Sequence, residues 1–207
     1  MRVDPGADHA RAAAAPVTGE GERAVVSAQL GRPARGESAV VHRCVYGLPT
    51  VVRVAPRLED GTPFPTLFWL TCPVARREVG RLEADGAMVE LNARLESDPP
   101  FAAAYAEDAA RYVRARDELG GPLAGDPGAG GMPDHIKCLH VQLGHFLATG
   151  ENPVGAWTYE AAAPMSCPGP CVPEELVAAA YGPLPPPEAV PGAWDQAAPR
   201  GQRPNTP

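Results

Sequence analysis

The sequence predicts a single α+β domain in which a four-stranded antiparallel sheet is followed by, and packed against, about four helices. Short segments rich in Val, Leu and aromatic residues lie between Gly/Pro turn signals in the first third of the chain. Segments with helical periodicity follow from residue 73. Neither end of the 207-residue chain has a hydrophobic period, so the middle is expected to form the core.

Composition also predicts the domain boundaries. We expect residues 1–22 to be a disordered N-terminal tail, residues 23–160 to be the folded domain, and residues 161–207 to be a largely disordered C-terminal tail. The last of these is rich in proline, which removes backbone donors and interrupts helices.

The strands are predicted by short apolar runs without a helix-length segment between them. They are Ala24–Leu30, Ser38–Cys44, Thr50–Ala55 and Thr66–Thr71. A sequential antiparallel meander is the default arrangement for such short connections. The second and fourth strands then run in the same direction, which brings Cys44 and Cys72 to the same end of the sheet.

The helices are predicted by apolar periodicity and by terminal signals. They run from Pro73 to about Gly86, from there to about Leu95, from Asp98 onward, and from about Pro133 to Thr149. In the third helix, Phe101, Tyr105, Tyr112 and Val113 share one side, which is typical of a core-facing stripe, and the arginines lie mostly off it. The carboxylates of the first two helices, Glu83 among them, are expected on a solvated helix surface.

Charge and hydropathy exclude several classes of partner. The net charge of −7 leaves no basic stripe, so we expect neither nucleic acid nor a membrane surface as a partner. The N-terminus lacks the apolar run of a signal peptide, and no apolar stretch approaches the roughly 20 residues of a membrane span. A cytoplasmic protein that binds a small molecule or another protein is therefore expected. Its five cysteines favour reduced thiols or metal ligands over disulfides.

Several motifs occur in an order that carries a family resemblance. They are LGRPARG at 30–36, APRLEDGTPFPTLFWLTCP at 55–73, GRLEADG at 80–86, GGMPDHIKCLH at 130–140 and ENPVG at 151–155. Over about Leu30 to Gly155 the chain resembles the actinobacterial domain of unknown function 501 (DUF501) family. The resemblance implies a bacterial cytosolic setting and no particular chemistry. The chain has Cys44-Val45-Tyr46-Gly47 where the family tends to have Cys-Pro-Cys-Gly, and His135 where it tends to have arginine.

Thiols and imidazoles form the first predicted site. Cys44, Cys72, Cys138 and His140 are candidate ligands of a zinc or iron ion, which thiolate and imidazole suit. On a regular helix Cys138 and His140 would point about 200° apart, so only an irregular helix start lets both bind one ion. The alternative is that these residues are buried cysteines and a hydrogen-bonded core histidine.

Cys72 and His140 are also the candidate catalytic residues. Cys72 precedes Pro73 at a predicted helix N-terminus, where backbone amides and the helix dipole lower the pKa of a thiol. This effect requires that Cys72 reach a cleft, because burial would raise the pKa again.

A Gly-rich stretch before the last helix forms the second predicted site. Exposed amides there would bind an anion, with Arg57, Gly131, His135 and Lys137 as the candidate ligand-binding residues. The alternative is a connector followed by a helix that Asp134 caps.

Two functions follow from these sites. The first is a small-ligand-binding domain or enzyme with a Cys/His site at the sheet end, next to a Gly-rich helix N-terminus. The second is a non-catalytic protein-interaction module that presents the loops APRLEDGTPFP and GENPVG and whose Cys and His residues pack in the core. Convergence of the site residues in one pocket favours the first.

Overall fold

A computed structural model of the protein describes residues 15–125, 128–163, 165 and 167–183. In these ranges the helices are α1 (Glu20–Leu30), α2 (Pro73–Ala84), α3 (Ala87–Ser97), α4 (Pro99–Gly120), α5 (Leu139–Thr149), α6 (Pro153–Ala162) and α7 (Glu174–Tyr181), and the strands are β1 (Ser38–Arg43), β2 (Pro49–Val54) and β3 (Phe68–Leu70). The predicted mixture of helices with an antiparallel sheet is confirmed. The sheet has three strands instead of four, and the described residues form seven helices instead of about four.

The first predicted strand, Ala24–Leu30, is wrong, because these residues belong to helix α1. Val25, Val26 and Gln29 are buried together on one face, which is the spacing of a helix and not of a strand. Gly31 ends the helix in the left-handed region at φ +68°, which glycine adopts without strain. The adjacent β-branched residues Val25 and Val26 favour a strand when the sequence is considered locally.

Helices also occupy parts of the predicted tails. Helix α1 begins at Glu20, inside the range 1–22, and α7 lies inside the range 161–207 and packs against α1. The GENPVG segment is likewise no exposed loop, because α6 begins at Pro153 and Val154 is fully buried. Residues 1–14, 164, 166 and 184–207 of the predicted tails lie outside the described residues.

The last three predicted strands form an antiparallel meander as expected, with strand order β1-β2-β3. Strands β1 and β3 therefore run in the same direction, and the residues that follow them leave the sheet at one end. There the Cys44 N–H donates to Leu48 O at 2.9 Å, and the Cys72 N–H lies 3.4 Å from Thr50 O. The topological prediction for Cys44 and Cys72 agrees with this placement.

The last predicted helix begins later than Pro133. Helix α5 starts at Leu139, and the residues before it are extended. Asn92 of α3 explains the difference, because its side chain accepts a hydrogen bond from the Ile136 N–H (2.9 Å) and donates to Ile136 O (2.9 Å). Both polar backbone groups of the buried Ile136 are thus satisfied outside a helix.

Helix α5 packs directly on β3 and α6 at the centre of the core. Gly144 permits the approach, because a Cβ there would lie 2.8 Å from Phe68 O. The aromatic face of α4 is buried as predicted through Phe101, Tyr105 and Tyr112. Arg116, expected off that face, is fully buried and pairs with Asp117 at 2.7 Å.

Candidate functional site

Three side chains with different donor atoms meet where α5 begins. One ligand atom from each of Glu83, Cys138 and His140 lies within 4.8 Å of the other two. Cys138 is the residue before the helix and has extended backbone angles, φ −154° and ψ 112°. The helix start is therefore irregular, as joint ligation by Cys138 and His140 requires, because the 100° rotation per residue does not apply between them.

Glu83, near the end of α2, holds the cluster together. Its Oε1 accepts a hydrogen bond from the Leu139 N–H at 2.7 Å and lies 3.2 Å from His140 Nδ1. The N-cap residue Cys138 makes no side-chain cap of its own. Glu83 thus supplies from another helix the acceptor that the first turn of α5 lacks, and places its negative charge at the positive end of the helix dipole.

His140 is held between two acceptors. Its Nδ1 faces Glu83 Oε1, and its Nε2 lies 3.1 Å from Arg76 O. Only the doubly protonated imidazolium donates to both oxygens. A hydrogen bond with Cys138 raises the pKa of His140 to about 9, with Glu83 adding to the effect and burial opposing it.

The cluster opens into a cavity of about 250 Å³ between β3 and the start of α5. The lining residues are Thr66, Phe68, Trp69, Leu70, Arg76, Cys138, His140 and Val141. Most of this surface is apolar, and Cys138, His140 and Arg76 are among its polar residues. Such a lining is typical of small-ligand sites, in which a few polar groups orient an otherwise apolar ligand.

Comparison with known proteins identifies the family. The family model of DUF501, a protein of unknown function, matches residues 40–160, more than half of the chain. This protein belongs to the DUF501 family. No curated protein and no solved structure matches it. Among the residues that the structure describes, no helix is long and apolar enough to cross a membrane.

The predicted metal ligands of this DUF501 chain fall into two groups. Cys138 and His140 meet with Glu83, whereas Cys44 and Cys72 lie at the sheet end and are not part of that cluster. The predicted lowering of the Cys72 pKa is wrong. Cys72 is only 6% exposed, and burial raises its pKa to about 12 although the N–H groups of Val74 and Ala75 act in the opposite direction. Desolvation outweighs the helix N-terminus.

The predicted anion-binding residues of the DUF501 chain do not surround one pocket. His135 and Lys137 line a shallow depression beside α3, separate from the cavity at His140. Gly131 lies in the same loop and accepts the His135 N–H at 3.0 Å, whereas Arg57 donates to Pro122 O at 3.1 Å. The prediction of a pocket at a helix start near Pro133 is wrong, because α5 begins six residues later, at Leu139. Anion binding by these residues stays a prediction.

Two residues of the site, Glu83 and Arg76, are not predicted from the sequence. Glu83 is predicted on a solvated helix surface and Arg76 has no predicted role, although the Glu83 carboxylate and the Arg76 backbone carbonyl both contact His140. No local pattern marks them, because each acquires its partner from a helix more than fifty residues away in the chain. The periodicity of α2 does place Arg76 and Glu83 seven residues apart on one face.

Proposed function

We propose that this DUF501 domain holds one divalent metal ion, zinc or iron, through Glu83, Cys138 and His140 and binds a small anionic ligand in the adjoining cavity. The observation that carries the proposal is the approach of a carboxylate, a thiol and an imidazole to within 4.8 Å. Zinc takes all three donor types, and a site with three protein ligands leaves a fourth position for water or a ligand. Binding would release to solvent the proton of the Cys138 thiol and one proton of the His140 imidazolium, since only the deprotonated groups bind a metal.

The cavity supports an anion as the ligand class. Arg76 is a cationic residue of the lining, with its Nη1 3.5 Å from Gln29 O, and a metal ion at Cys138 and His140 would add positive charge. The rest of the lining includes Phe68, Leu70 and Val141, which suit a small apolar body attached to a carboxylate or another oxyanion. An enzymatic version of this function would use the metal to activate a bound water, which is metal-assisted hydrolysis.

The rival function is a protein-interaction module in which the same residues are structural. It is supported by the contacts that Glu83 already makes, since a carboxylate that caps α5 and pairs with His140 needs no metal to explain it. Cys138 also packs against the main hydrophobic core. The two functions differ in one measurable property, which is the binding of a metal ion at this cluster.

Zinc titration of the purified full-length chain, in competition with a chromophoric chelator, tests the proposal. We expect Cys138→Ser and Glu83→Gln to lose one equivalent of zinc relative to the wild type, or to bind it at least about tenfold more weakly. Gln at position 83 still offers an oxygen to the Leu139 N–H, so the helix start is retained. Glu78→Gln is the matched control, because Glu78 lies on the same helix and pairs with Arg77 and Arg81. If both site variants bind zinc as the wild type does, the metal site is wrong and the rival function, in which these residues are structural, stands.

The anion is tested with Co²⁺ in place of zinc. Acetate or inorganic phosphate should perturb the cobalt absorption of the wild type, and Arg76→Gln should need more of the anion for the same change while binding the metal normally. If neither anion perturbs the spectrum at any concentration, the ligand part of the proposal is wrong and the metal part stands.

A further inference from the structure

Four of the five cysteines gather at the end of the sheet, away from Glu83 and His140. Cys44 follows β1, Cys72 follows β3, and Cys167 and Cys171 lie between α6 and α7. All four are free thiols. The sequence separates the first pair from the second by almost one hundred residues, so only the fold brings them into one region.

The carbonyl of Pro49, the first residue of β2, accepts hydrogen bonds from two side chains that contact or adjoin these cysteines. Gln29 Nε2 donates to Pro49 O at 2.8 Å and lies 3.3 Å from Cys171 Sγ. The Thr71 hydroxyl, next to Cys72, donates to the same oxygen at 3.3 Å. Pro49 also pairs across the sheet with the residue before Cys44.

The backbone of the fourth cysteine, Cys167, is hydrogen-bonded to the turn of the hairpin that β1 and β2 form. The hydroxyl of Tyr46, two residues after Cys44, donates to Cys167 O at 3.0 Å. Cys44 and Cys171 pack against one small hydrophobic cluster formed by Val25, Leu48, Val172 and Val177. The hairpin, the end of β3 and the segment before α7 therefore converge on one thiol-lined region.

Burial and the neighbouring thiols dominate the electrostatics of this region, and a cation, Arg77, acts to lower the pKa of Cys167. Burial raises the pKa of Cys44, Cys72 and Cys167, and the charge of Cys171 raises each of the three further. Backbone N–H groups act in the opposite direction, those of Tyr46 and Leu48 on Cys44 being the main ones there. Amides directed at sulfur are a common feature around metal-bound thiolates, where they orient the ligands.

We propose that Cys44, Cys72, Cys167 and Cys171 form a second metal site, a four-thiolate zinc site that fastens the segment before α7 to the sheet. Four thiolates in a tetrahedron are a standard structural zinc site. No three of the sulfurs lie within 4.8 Å of one another, so the ion would draw them together. Cys167 and Cys171 lie outside helices and strands and can move inward without breaking either. Each thiol that binds gives up its proton to solvent.

Zinc content and cobalt spectra of the full-length chain test this site separately from the Glu83 cluster. We expect Cys171→Ser and Cys44→Ser to lose one equivalent of zinc that Cys138→Ser retains. With Co²⁺, the sulfur-to-metal absorption depends on the number of thiolate ligands, so Cys171→Ser should remove most of it and Cys138→Ser a minor part. Cys171→His should restore the lost equivalent, because histidine also binds zinc.

The outcomes separate the two proposals. Loss of zinc only in Cys138→Ser would overturn the four-thiolate site and keep the Glu83 site, and loss only in Cys171→Ser would do the reverse. A variant that loses zinc through misfolding would not be rescued by Cys171→His. In the wild type, zinc should slow iodoacetamide labelling of the Cys171 peptide, and equal labelling with and without zinc would overturn the proposal.

Discussion

Helix α5 carries two histidine–carboxylate pairs with the same separation and different surroundings. His140 Nδ1 lies 3.2 Å from Glu83 Oε1 at the start of the helix, and His145 Nδ1 lies 3.2 Å from Asp108 Oδ2 in its second half. The side chains of the first pair are 30% and 22% exposed, those of the second 0% and 1%. Equal distances therefore do not imply equal roles.

The second pair, His145 and Asp108, is sealed from solvent and is enclosed by aromatic and amide side chains. The first pair, His140 and Glu83, is the open pair. The His145 ring stacks on Phe68, with centroids 5.6 Å apart, and meets Tyr112 edge to face at 4.9 Å. Asn152 Nδ2 lies 3.2 Å from His145 Nδ1 and donates to Gln142 Oε1 at 2.7 Å. These contacts join β3, α4, α5 and the start of α6, so the sealed pair connects elements of the core, whereas the open pair faces a cavity.

The two pairs also differ in where they hold protons. In the open pair, Cys138 and Glu83 raise the pKa of His140 to about 9, so the histidine is charged at neutral pH. In the sealed pair, burial raises the pKa of Asp108 to about 7, with Glu151 adding to the effect and Arg111, 3.6 Å away, opposing it. The carboxyl group of the sealed pair is therefore the one that titrates near neutrality.

Replacing each histidine by alanine should give the largest contrast. His145→Ala leaves a void and removes a partner of Asp108 in the core, and we expect the free energy of unfolding to fall by about 3–5 kcal/mol. His140→Ala removes contacts of a partly exposed pair and should lower it by no more than about 1 kcal/mol. Urea denaturation of both variants, with a chelator present, measures the difference. Similar losses would mean that burial does not distinguish the two pairs.

The pH dependence of stability sharpens the comparison at Asp108. Because its pKa is raised from 3.8 to about 7 on folding, the folded protein binds the proton more tightly. The contribution of Asp108 to stability is therefore full below pH 3.8 and declines as the pH rises to about 7, at most by about 1.4 kcal/mol per pH unit. Asp108→Asn lacks this decline. The difference in unfolding free energy between wild type and Asp108→Asn should follow this slope, and a difference that is constant over the range would contradict the assignment.

The comparison also shows what the sequence could predict. Strands β1 to β3 and helices α2 to α4 follow from local apolar patterns and turn residues, and the meander places Cys44 and Cys72 at one end of the sheet. Helix α1 has the local pattern of a strand because its buried valines are adjacent. Both the late start of α5 and the role of Glu83 depend on side chains of other helices, Asn92 and Glu83 itself, which supply hydrogen-bond partners that periodicity does not encode.

The smallest expected effect concerns the cap that Glu83 provides. Glu83→Ala removes both the acceptor of the Leu139 N–H and the ion pair with His140, so we expect a loss of about 1.5 kcal/mol in unfolding free energy. Glu83→Gln keeps an acceptor oxygen and loses only the charge, for which about 0.5 kcal/mol is expected. Urea denaturation of the metal-free protein isolates these terms, because a bound ion would stabilise the wild type by mass action. Equal losses in the two variants would show that the charge of Glu83, and not its hydrogen bond to the helix, holds the open pair in place.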